Sequence, residues 1–130
     1  MNRKWKRRYV QLFITLLLTF LISYWICELI KNTVKAPRPC VGLSGCPAGY
    51  SFPSRHTLIA FALTTAFMLE TKNKILSSLF AVASIFIGAL RVVTLAHTPT
   101  DVIAGALIGI AIGFVVQRSY LFLRFYYSER

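Results

Sequence analysis

Four apolar runs separated by short polar intervals lay out the chain. The first, Tyr9 to Ile30, carries no charge before Glu28 and has aromatic residues near both ends, a pattern that predicts a membrane-spanning helix. It is long for the apolar core of a signal peptide, and "SYWICEL" offers no small-residue cleavage site. Residues 31–53 interrupt the pattern: Pro37, Pro39, Pro47 and Pro53 with Gly42, Gly45 and Gly49 exclude a regular helix. Ser54 to about Leu69 is a second apolar segment, short for a span, so that a tilted helix or one partly enclosed by protein fits it equally. Ile75 to about Ala96 predicts a third helix and Pro99 to about Leu123 a fourth. Gly105, Gly109 and Gly113 recur every fourth residue along one face of the fourth, where a neighbouring helix can approach closely. The closing "RSYLFLRFYYSER" mixes arginine with aromatics, as an anchor at headgroup depth does. The predicted fold is all-α, a polytopic membrane helical bundle of about four transmembrane helices forming one domain over residues 1–130.

Composition agrees with this pattern and narrows it. Of 130 residues, 56% are hydrophobic, well above the usual share for a soluble domain of this length, and four spans leave no room for a second domain. The net charge is +11, but the basic residues fall in short tracts between apolar runs and form no basic face interleaved with aromatics, so no nucleic-acid partner is predicted. Four spans place both termini on one side, with Arg3, Lys4, Lys6, Arg7, Arg8, Lys72, Lys74, Arg118, Arg124 and Arg130; only Lys31, Lys35, Arg38, Arg55 and Arg91 fall on the other. The positive-inside rule then puts the basic tract 1–8 in the cytoplasm of a cell whose plasma (inner) membrane holds the protein, and loop 31–53 outside. Cys40 and Cys46 share that outer loop, where a disulfide can persist. The acids are Glu28, Glu70, Asp101 and Glu129, scattered and too few for a metal cage, so neither metal nor cofactor is predicted.

Three clusters, "KNTVKAPRP" (31–39), "PSRH" (53–56) and "RVVTLAHTPTD" (91–101), lie at helix ends on that outer side. Taken singly, each reads as solvated loop charge; together they contain both histidines and the only aspartate. Thr98 is placed to N-cap the fourth helix, Pro99 suits its first position, and Asp101 falls in its first turn. Asp101 can then accept a hydrogen bond from one nitrogen of His97 and leave the other free to act as a nucleophile. Ser54 precedes the second helix, whose first N–H groups, around Arg55 and His56, suit an anion. Lys31, Arg38 and Arg91 add positive charge, and the arginine forks match phosphate oxygens. Attack on phosphorus needs one neutral imidazole and departure of the ester oxygen needs one protonated; His97 takes the first role and His56 the second.

The order Lys31-x6-Arg38-Pro39, Pro53-Ser54-x-His56 and Arg91-x5-His97-x3-Asp101 resembles the three-part signature of the type 2 phosphatidic acid phosphatase superfamily, which includes vanadium haloperoxidases and glucose-6-phosphatase. The resemblance covers nearly the whole chain after residue 9. It implies a helical bundle and metal-independent hydrolysis through a phosphohistidine, with His97 as nucleophile, Asp101 as its partner, His56 as general acid, and Lys31, Arg38, Ser54 and Arg91 as phosphate ligands. Two positions depart from the pattern. Arg55 stands where members usually have Gly, and would compensate for lost contacts or favour a diphosphate; Leu90 stands where they usually have Ser. Members commonly have six spans, so either neighbouring protomers of a homo-oligomer cover the faces that four helices leave open or the short bundle suffices. The implied function is an integral membrane lipid phosphatase acting on a phosphomonoester or polyprenyl diphosphate at the extracytoplasmic face. The alternative is a non-catalytic membrane protein that binds lipid phosphate or serves in assembly.

Overall fold

The computed structural model describes residues 3–128, with side chains from Arg8 to Tyr126. Most of the basic tract 1–8, and with it Glu129 and Arg130, therefore lies outside the described side chains. The described residues form four helices: α1 (Arg3–Val34), α2 (Arg55–Glu70), α3 (Lys74–Val93) and α4 (Pro99–Ser128). There is no strand among the described residues.

Local chemistry sets the helix ends. Asn73 caps α3, its side chain accepting from the Leu76 N–H at 3.0 Å. Thr98 and Asp101 cap α4 reciprocally: the Asp101 N–H donates to Thr98 Oγ1 at 3.2 Å, and the Thr98 N–H donates to Asp101 Oδ2 at 2.8 Å. α1 and α3 each stop at a non-glycine residue in the left-handed region, Lys35 (φ 53°) and Leu95 (φ 54°). The turn at Leu95 ends α3 three residues before the expected Ala96 and brings the His97 N–H back onto the Arg91 carbonyl at 3.0 Å. α1 and α4 run longer than the apolar pattern alone suggested, because their flanking polar and aromatic residues continue the helix.

α2 is the hub, touching α1, α3 and α4, whereas α1 and α3 do not meet among the described residues. Its closest neighbour is the glycine face of α4. A Cβ added at Gly109 would lie 2.3 Å from the Leu58 carbonyl oxygen, and one at Gly113 would lie 2.4 Å from that of Ala62. The two backbones thus touch directly, and the ladder serves packing. On α1 a second row of small side chains, Thr15, Thr19, Ser23 and Cys27, is fully buried at four-residue spacing.

Among the described residues, three helices are long and apolar enough to cross a membrane, over Arg8–Val34, Lys74–Val93 and Pro99–Tyr126. Their outward faces carry exposed large apolar residues such as Phe13, Val82, Phe86 and Leu107, as expected of surfaces that meet lipid. α2 differs. Its 16 residues rise about 24 Å, short of a hydrocarbon layer of about 30 Å, and it lies enclosed by the other three.

Candidate active site

The up-down-up-down order brings the C-terminal ends of α1 and α3 together with the N-terminal ends of α2 and α4, and the loop 35–53 closes over them. Lys31, in the last turn of α1, is buried and donates through Nζ to the Tyr50 and Ser51 carbonyls at 2.6 and 3.1 Å. These bonds tie the loop down next to α4. From Ser51 the hydroxyl donates to Asp101 Oδ2, and the Ser54 N–H donates to the Asp101 carbonyl at 3.0 Å. One carboxylate turn of α4 is therefore stitched to the start of α2.

Arg38 anchors the other side of the loop. Its guanidinium donates to the carbonyls of Gly49 (3.0 Å), Ala48 (3.3 Å) and Ala96 (2.9 Å), and its NH1 lies 3.2 Å from His97 Nε2. The loop is further closed by the Cys40–Cys46 disulfide. The disulfide, left open by the sequence, lies next to the arginine that faces His97.

His97 is 3% exposed. Burial, and then Arg38 and Lys31, push its pKa down to about 4 against the raising effect of Asp101, so the ring is neutral through the physiological range. Its Nδ1 is 3.6 Å from Asp101 Oδ2 and has no hydrogen-bond partner. The expected His97–Asp101 hydrogen bond is therefore not made in this state, because Ser51 and the Thr98 N–H already occupy that oxygen. The pair is nonetheless poised: Nδ1 faces the carboxylate and Nε2 faces Arg38.

His56 is exposed, one residue into α2. Burial of part of its ring, followed by Arg91, Arg55, Arg38 and Lys31, holds it below the usual imidazole value. Arg38, Lys31 and Arg91 act on both rings, which puts the two imidazoles in one basic neighbourhood. Arg91, in the last turn of α3, has its Nε buried without a hydrogen-bond partner. An orphaned buried guanidinium N–H is a donor prepared for an anion.

Ser54 and Arg55 are placed differently from the other expected ligands. The Ser54 hydroxyl pairs with Thr57 Oγ1 at 2.9 Å and makes no side-chain cap to α2. Arg55 lies against α1, donating to Glu28 Oε1 at 2.8 Å with its guanidinium 5.5 Å from the centre of the Tyr24 ring. Leu90 is half-exposed on α3 and supplies no polar group.

Two contributors were not singled out from sequence. Ser51 has no signal of its own in an irregular loop. Glu28 had one, since an acid inside an apolar run, three residues before Lys31 on the same helical face, is a functional pointer by position. Among the described residues no group of three or more His, Cys, Asp or Glu is arranged to hold a metal ion.

Comparison with known proteins gives this geometry a context. A model of the PAP2 superfamily, the type 2 phosphatidic acid phosphatases, matches residues 12–125. A protein named Lipid A 1-phosphatase from Porphyromonas gingivalis is 40% identical over 70 residues, which is 51% of this chain and 15% of that one. The crystal structure of the first transmembrane PAP2 type phosphatidylglycerolphosphate phosphatase from Bacillus subtilis superposes with a TM-score of 0.68 at 25% identity, over 80% of this chain and 56% of that chain. The chain thus spans about one-seventh of the length of the first relative and just over half of the second.

Proposed function

Because the chain belongs to the PAP2 superfamily, we propose that it is an integral membrane lipid phosphatase that works through a phosphohistidine, with its site on the extracytoplasmic side of the plasma membrane. The observation that carries the reading is the convergence of three distant segments on a buried, neutral His97 ringed by Lys31, Arg38 and Arg91. A neutral imidazole beside fixed positive charge suits nucleophilic attack on a phosphate dianion, whose own charge would otherwise repel a nucleophile.

In the first step His97 Nε2 forms a bond to phosphorus as the bond from phosphorus to the ester oxygen breaks. His56 donates its proton to that oxygen, and Asp101 stabilises the charge that develops on the His97 ring through Nδ1. In the second step His56 takes a proton from water, the hydroxide attacks phosphorus, and the P–N bond breaks to free phosphate and regenerate neutral His97. Arg38 and Arg91 hold the equatorial oxygens throughout. Partial burial and then nearby cations lower the pKa of His56; a bound phosphate dianion offsets the cations and so favours the proton the acid must carry.

The tail of the lipid has a place directly below. An apolar groove of about 410 Å3 is lined by Ala60, Leu63 and Phe67 on α2 and by Phe80, Ala83 and Ile87 on α3. The α2 residues follow His56, and the α3 residues precede Arg91, at three- and four-residue steps, hence on the same helix faces. Phosphatidate-type monophosphates and polyprenyl diphosphates both fit a basic site over an apolar groove.

The test is phosphate release by the purified chain in detergent and chelator from phosphatidate, phosphatidylglycerophosphate, lipid A and a polyprenyl diphosphate. Turnover that persists in chelator and is blocked by vanadate is expected. Binding without release from any of the four would favour the non-catalytic alternative.

A further inference from the structure

Arg55 sits between two residues of the site, Ser54 and His56, yet its side chain runs to α1. There it meets Glu28 at 2.8 Å and stacks over Tyr24, so the guanidinium is held from two directions. Its charge nevertheless still acts on Arg38 and His56, which keeps it within electrostatic reach of the phosphate position. Arg55 and Glu28 are partly exposed, at 41% and 30%, so neither is locked by burial.

The acids of this chain make Glu28 special. Glu70 lies at the opposite end, bonded to Gln117. Asp101 is engaged by Ser51 and Thr98. Glu28 is therefore, among the described residues, the one carboxylate left at this end to balance a cation. With Arg55 paired, the site offers Lys31, Arg38 and Arg91, a charge suited to a single phosphate. With Arg55 released, a fourth cation with a planar fork, one residue from His56, becomes available to a second phosphate.

We propose that Glu28 is a specificity-determining residue, which biases the site toward a single phosphate over a diphosphate by holding Arg55 against α1. This rests on the reading of the site as a phosphate pocket. Removing the carboxylate frees Arg55 for the second phosphate, and the preference shifts.

The experiment measures binding of inorganic phosphate and of pyrophosphate to the full chain in detergent by titration calorimetry. It compares wild type, Glu28→Gln, Glu28→Ala and the double variant Glu28→Ala/Arg55→Gln, each checked for an unchanged unfolding temperature. The ratio of pyrophosphate to phosphate affinity should rise about tenfold in Glu28→Ala, rise less in Glu28→Gln, where an amide can still accept from Arg55, and fall back in the double variant. A ratio unmoved in Glu28→Ala, or a gain that survives loss of Arg55, would overturn the proposal. Lipid phosphate hydrolysis by the same wild-type preparation is scored separately. An active enzyme with an unmoved ratio loses only the role of Glu28, and an inert protein whose ratio moves loses only the phosphatase reading.

Discussion

The seam between α2 and α4 and the pocket above it are built on opposite principles. In the seam, side chains are removed: Gly105, Gly109 and Gly113 let the α4 backbone rest on the carbonyls of Ser54, Leu58 and Ala62. Along these glycines backbone meets backbone with no charged group between, so charge and pH have little purchase on that stretch. The pocket depends on long polar side chains that reach across the chain to backbone carbonyls, as Lys31 and Arg38 do. Burial, and after it the fixed charges, lowers the pKa of both His97 and His56. A rigid, chemically silent seam therefore carries a responsive pocket, and the two should fail in different ways.

The largest separation is expected from His97→Ala. Removing the proposed nucleophile should lower phosphate release by at least about 10^3-fold while leaving the unfolding temperature close to wild type, since the seam is untouched. Release retained in that variant would refute the assigned chemistry. Gly109→Ala should do the reverse. A methyl group 2.3 Å from the Leu58 carbonyl must push α2 away, at about 3 kcal/mol of stability, read as a fall in unfolding temperature in detergent. Activity should fall with it, because Ser54 and His56 ride on the displaced helix. An unchanged unfolding temperature would mean that the seam gives more easily than its geometry implies.

A pH series separates the regions more finely. The His97 pKa is lowered from 6.5 unfolded to about 4 folded, so between those values the unfolded chain binds more protons. Stability due to this group is complete above pH 6.5 and is lost as pH falls toward about 4, with a slope of at most about 1.4 kcal/mol per pH unit. Subtracting the His97→Ala curve from that of wild type should isolate this slope, whereas the Gly109→Ala decrement should be flat with pH. Equal slopes in wild type and His97→Ala would contradict the buried, neutral ring.

The smallest effect is at the pocket rim. Leu95 is half-exposed and left-handed, so Leu95→Gly relieves the backbone with little lost burial and should raise stability by up to about 1 kcal/mol. A large drop in activity with no loss of stability would show that the Leu95 side chain itself shapes the path of His97.

The same contrast explains what could be read in advance. The seam was legible because four-residue spacing of glycine is a periodic signal, and the Thr98–Asp101 cap because its residue types and spacing define it. The short α2 was legible too, though its enclosure by three other helices required the fold. The pocket's residue types were visible as three clusters, but their partners were not. Backbone carbonyls accept from any donor and leave no mark in a sequence, so Lys31 and Arg38 gave no hint that they would hold Tyr50, Ser51 and Ala96. Lys35 and Leu95 are ordinary residues in left-handed turns, and for that reason the end of α3 was placed three residues late. Ser51 competes for Asp101 only because the loop folds back, and Arg55 turns to Glu28 across 27 positions.

One dimension of α2 reaches further than its packing. A rod of 16 residues is too short to bring both of its tips to water across a bilayer that its three companions are long and apolar enough to cross. If one tip of α2 lies near one membrane surface, its other tip, with His56, is sunk beneath the headgroups of the opposite surface. The loop 35–53 must then dip to meet it. A lipid would reach such a reaction centre by sliding sideways at its own depth, without leaving the membrane.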